Sequence, residues 1–228
     1  MDIIRHFPDT NEPFENRRNQ PWHDLPVFFM ALVPMVIIVP VLPAEPSSRP
    51  IILIFLTLLF VFGIYGMRGN RRRFLLSCIL ALIAVETFWV SVWPAASSLF
   101  LPAEFFLLLF LIHQAGYLFQ KLVMTEGSIM DIVSGSTALL MTGGIILGTG
   151  LHLSGWISRT AVSDPALLHA SFARAIPEGV LLLIGRGASS FGSSPLSMVL
   201  LMIGSVCGFL LLALTAGKIA GYYSKNRG

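Results

Sequence analysis

The stretch PIILIFLTLLFVFGIYGMRGNRRRFLLSCILALIAVETFWVSVW, residues 50–93, decides the fold class. It holds two apolar runs, 50–67 and 74–93, and a membrane-spanning helix needs about 20 mostly apolar residues. Between them lie Arg68, Arg71, Arg72 and Arg73, a dense basic connection of the kind that stays on the cytoplasmic side of a bilayer. Outward from this pair, further apolar runs near 26–43, 97–120, 129–151 and 195–217 bring the number of expected spans to about six. The first run is interrupted by Pro34, Pro40 and Pro43, so a kinked helix is expected there. The composition agrees with an all-α membrane protein. Of 228 residues, 55% are hydrophobic and 12% charged, where a soluble domain carries about 25% charged residues.

The basic loop sets an orientation. With it inside, Arg5, Arg17, Arg18, Lys121, Lys218, Lys225 and Arg227 fall on the same side, and only Arg49, Arg159, Arg174 and Arg186 fall outside. That asymmetry predicts a multi-pass protein of the plasma (inner) membrane with both termini cytoplasmic. Residues 1–25 form a polar cytoplasmic tail, too long and acid-rich for a signal peptide. Trp89, Trp93 and Trp156 then fall near the outer interface, where an aromatic belt belongs. Cys78 and Cys207 lie in apolar runs and read as buried small hydrophobes rather than a disulfide or metal site. The lipid bilayer is the implied partner, and no feature points to nucleic acid.

One connection is long. Residues 152–194 form an outer segment between the fifth and sixth spans. Ser163-Asp164-Pro165 is a helix-start signal, and Ala166–Ala175 can follow as a short helix. Pro177-Glu178 then leads into Val180-Leu181-Leu182-Leu183-Ile184, a run too short to span. Such a segment is either a re-entrant element, as in a pore loop, or a surface loop with flexible glycines.

Three stretches resemble a known family, the small bacterial six-span membrane proteins that end in a two-helix potassium-channel pore domain. They are Val123–Ser134 with Gly135-Ser136-Thr137-Ala138-Leu139-Leu140, then Leu167-Leu168-His169-Ala170-Ser171-Phe172, then Ser194-Pro195-Leu196 with Gly204, Gly208 and Ala216–Gly221. The resemblance implies a four-helix membrane region (26–128) followed by a two-helix pore module (129–228), and a homotetramer. The family's filter, Thr-Val-Gly-Tyr-Gly-Asp, replaces an ion's hydration shell with carbonyls and a hydroxyl. Here the best register is Leu183-Ile184-Gly185-Arg186-Gly187-Ala188; a second, Ala175–Gly179, matches worse. Four copies of Arg186 around one axis would repel potassium, since arginine rings belong to anion pores. The fourth span also lacks the periodic arginines of a voltage sensor. The expectation is an ion-channel-like protein that is not potassium-selective. The alternative is a non-conducting accessory subunit in a hetero-complex with other membrane proteins.

Other polar residues stand inside the spans. Glu86 and Glu104 fall at similar depth, where they could share a proton, a water cavity or a cation, or each face a neighbouring helix. His113-Gln114 is a deeper polar pair suited to interhelical hydrogen bonding. His152 and His169 fall in the outer segment. Gly144 and Gly148, and again Gly204 and Gly208, make faces for close helix packing, with Gly204 or Gly208 the place for an inner-helix hinge. No metal-binding spacing, cofactor motif or catalytic constellation is legible, so an enzyme, metal centre or cofactor is not expected.

Overall fold

The computed structural model describes residues 25–42, 48–68, 71–124, 128–157, 168–185 and 194–225. These residues are helical throughout, apart from turns and caps. The elements are α1 (Leu25–Ile37), α2 (Arg49–Gly66), α3 (Arg71–Val90), α4 (Phe100–Met124), α5 (Ile129–Ile157), α6 (Leu168–Leu183) and α7 (Pro195–Lys225). Short 3₁₀ segments follow α1 (Val39–Val41) and precede α4 (Pro94–Leu99). Five helices, α2, α3, α4, α5 and α7, are long and apolar enough to cross a membrane. Among the described residues the sixth expected span is not a helix of spanning length. α1 has 13 residues with Pro34 inside it, which is about 20 Å against a hydrocarbon core of about 30 Å.

Helix starts follow local chemistry. Ser128 caps α5: its Oγ accepts from the Asp131 N–H at 3.2 Å, while Asp131 Oδ2 accepts from the Ser128 N–H at 2.9 Å, a reciprocal capping box. Ser194 caps α7 with a single bond of this kind, its Oγ accepting from the Ser197 N–H at 3.1 Å, with Pro195 at the first helical position.

α5 lies at the centre of the bundle and touches α1, α4, α6 and α7. α6 runs antiparallel along it. Going down α6, Ala175 meets Gly148, Val180 meets Gly144 and Leu183 meets Gly143. α7 also runs antiparallel to α5, with Leu200 near Gly150 and Gly204 on Leu147. Elsewhere α2 and α4 lock through an edge-to-face pair, Phe60 and Phe110, with ring centroids 4.8 Å apart. Residues of one basic end also come together: Lys218 on α7 donates to the Val123 carbonyl of α4 at 2.8 Å, and Arg73 on α3 donates to Gln120 of α4. Cys78 is half-buried and Cys207 is exposed on α7, so neither sits in the core as the apolar runs suggested.

Candidate functional site

Two features of the α4–α7 half combine geometry with chemistry: a glycine-sealed helix seam and a buried polar line beside it.

The seam joins α6 to its two long neighbours. A Cβ on Gly148 would stand 2.2 Å from the Ala175 carbonyl oxygen, and one on Gly179 would stand 2.1 Å from that of Gly144. One on Gly208 would stand 1.9 Å from the Leu183 carbonyl oxygen. These are backbone-to-backbone approaches that no other residue permits. Gly144, Gly148, Gly204 and Gly208 are therefore packing positions within the chain, and α7 runs unbroken past both of its own. Gly179, in the segment read as an outer loop, completes the seam and carried no sequence signal beyond being a glycine.

The filter register falls at the end of α6. Leu183 is the last helical residue, the Ile184 N–H donates to the Val180 carbonyl at 3.3 Å, and the Gly185 N–H donates to the Leu182 carbonyl at 3.0 Å. Gly185 takes φ +77°, the left-handed turn with which helices commonly end. Leu183, Ile184 and Gly185 thus form a helix terminus rather than a row of converging carbonyls. Arg186, Gly187 and Ala188 lie outside the described residues, as does the Ser163-Asp164-Pro165 helix start. Residues 168–175 of the expected short helix and 180–183 of the apolar run after it belong to one continuous α6, running through Pro177.

The polar line crosses three helices. α5 extends to Ile157 rather than ending near residue 151, so His152 is helical and 1% exposed, not part of a loop. Its Nδ1 lies 2.9 Å from the Glu104 carboxylate on α4, and its Nε2 lies 2.7 Å from Ser171 Oγ on α6. Glu104 is fully buried. Both carboxylate oxygens stand 2.9 Å from Nδ1, with Oε2 aligned for the hydrogen bond. A cluster of rings closes around the line. Phe88, Phe100 and Phe172 are buried, with Phe100 and Phe172 centroids 5.8 Å apart and Phe172 6.1 Å from the His152 ring.

The remaining polar residues are dispersed. Glu86 is exposed on α3, so the partner of Glu104 is His152. His113 is half-buried near the backbone of Arg73, and the buried Gln114 amide nitrogen faces Gly63 of α2. No cluster of three or more metal-ligating side chains occurs among the described residues. The His152–Ser171 and His152–Glu104 pairs were missed because the partners stand 19 and 48 positions apart on separate helices. The available signal was the intramembrane position of Glu104, since a buried acid needs a partner. No family model, curated protein or solved structure matches the chain.

Proposed function

We propose that this is an ion-channel-like membrane protein whose pore module lacks a potassium filter. The observation that carries the reading is the placement of α6. Leu183, its last residue, packs against Gly143 of α5 and Gly208 of α7. Gly208 is thirteen residues into α7 and Gly143 fourteen residues from the end of α5, so α6 ends about 20 Å along both neighbours. A 16-residue helix that descends partway between two spanning helices and stops is the re-entrant element of a pore module. The α1 helix and its 3₁₀ turn together cover about 26 Å and serve as the sixth crossing. The clustered basic residues face the cytoplasm of a plasma (inner) membrane, as do both termini.

Reconstitution tests this reading. Purified protein in potassium-loaded vesicles is expected to pass no selective potassium current, and robust selective flux would refute it. Extraction in mild detergent followed by native mass spectrometry is expected to give a homotetramer.

The helix terminus at Leu183–Gly185 favours the second reading, a non-conducting accessory subunit. Recovery as a single copy bound to other membrane proteins would select it.

A further inference from the structure

We propose that Ser171, His152 and Glu104 form a nucleophile, base and orienting acid that hydrolyse carboxylic esters of membrane lipids. This goes beyond the pore-module reading and does not depend on whether the chain conducts.

The geometry assigns the roles. With Glu104 ionised and the imidazole neutral, the carboxylate holds the single ring proton on Nδ1, because a carboxylate can only accept. Nε2 is then the acceptor for the Ser171 hydroxyl, 2.7 Å away, while Nδ1 donates to Glu104 across 2.9 Å. A hydroxyl on a base and the base on an acid is the arrangement that activates a serine, and it is recognised by geometry rather than by chain order.

A second observation points to the co-reactant. Thr149 Oγ1 is buried with no hydrogen-bond partner, and Thr149 lies one turn from His152 on the same face of α5. Buried hydroxyls of this kind bind ordered water in proteins, and hydrolysis consumes water.

Depth points to the substrate. His152 is five residues from the end of α5, about 8 Å along the axis. With the Ile157 end of α5 set at the outer membrane surface, that is the level of the boundary between headgroups and acyl chains, where glycerolipid ester carbonyls lie. Ser171 is only partly buried, so the nucleophile is the most accessible member of the line.

The reaction balances without a redox partner. Ser171 Oγ adds to the ester carbonyl carbon as His152 Nε2 takes the hydroxyl proton. The adduct collapses, the bond to the alkoxide breaks, and the imidazolium returns the proton to it. An acyl-serine and a free alcohol result. Water then adds to the acyl carbon, giving its proton to Nε2. The carboxylic acid leaves and Ser171 regains its hydrogen. Glu104 touches no substrate and acts as a positioning residue.

The test uses the full chain in vesicles of phosphatidylethanolamine and phosphatidylglycerol containing a quenched fluorogenic diacyl phospholipid. An alkyl fluorophosphonate is applied in parallel and its adduct mapped by mass spectrometry. The expected results are a covalent adduct on Ser171 and hydrolysis about a hundredfold above Ser171→Ala. Glu104→Gln should lower kcat at least about tenfold with little change in KM. A protein that leaves Ser171 unlabelled and hydrolyses no faster than Ser171→Ala would overturn the proposal and reduce the line to an interhelical clamp. The labelling experiment needs no variant, so poor folding of a mutant cannot obscure the answer.

Discussion

The two longest helices, α5 and α7, with 29 and 31 residues, meet their surroundings in opposite ways. α7 is the more apolar of the two and the least buried of the five spanning-length helices. α5 carries glycines, threonines, serines and a histidine, and it is the most buried. In water the order would be reversed. In a lipid solvent, apolar side chains gain nothing by leaving the lipid, and helices associate through close backbone packing and interhelical hydrogen bonds instead. α5 supplies both, through Gly144 and Gly148 against α6 and through His152 between Glu104 and Ser171. α7 touches the bundle along one stripe and leaves Met202, Phe209 and Leu210 outward.

That contrast can be broken by substitution. The largest effect is expected from Glu104→Ala, which strands His152 in the interior; an unpaired buried polar group costs about 1–3 kcal/mol, more where a charged group is involved, and the cavity left behind adds to it. Thermal unfolding followed by far-UV circular dichroism in micelles measures it, and an unchanged midpoint would mean that the line does not hold α4, α5 and α6 together. Gly179→Ala comes next. Its new methyl would stand 2.1 Å from the Gly144 carbonyl oxygen, and overpacking of this kind costs about 1–3 kcal/mol. The same change at Gly217, where nothing lies within 4 Å, is expected to raise stability by about 0.5–1 kcal/mol by removing a helical glycine. A loss at Gly217 as large as that at Gly179 would dissolve the distinction between the seam and the α7 tail. The smallest effect is expected from Phe209→Ala, since the ring is 73% exposed and such positions stay within about 0.5 kcal/mol. A marked loss for this variant would place another protein surface against α7.

Particular residues show how far the sequence could be read. The spans from α2 through α5, and α7, were legible because each is a long, mostly apolar run. The glycine pairs were legible as close-packing faces because four-residue spacing puts them on one side of a helix. Which helix they meet was not legible. Gly148 faces Ala175 of α6 and Gly208 faces the end of the same helix, and only the course of residues 168–183 assigns them. Gly185 shows a subtler limit. In sequence it matches a filter glycine, since both a filter and a helix end call for a residue that accepts φ above zero; the hydrogen bond from its N–H to Leu182 decides for the helix end.

His152 shows the same limit at the polar site. The apolar run of α5 was read as ending beside it, so it was placed in a loop, whereas the helix continues five residues further. An apolar count along one chain registers where hydrophobicity falls, but it cannot register that a histidine at that point has an acid waiting on one neighbouring helix and a hydroxyl on another.

The sequence by itself determined the solvent of this protein, its helical character, most of its spanning segments and the gathering of basic residues at one end. These depend on sums over local stretches: apolar transfer along a run of residues and charge within a loop. The tertiary structure alone decided that α6 is one helix set between α5 and α7, and that Glu104, His152 and Ser171 stand in line. Those facts depend on the depth and rotation of one helix against another, which lipid leaves nearly indifferent and which a few glycines and buried hydrogen bonds then fix.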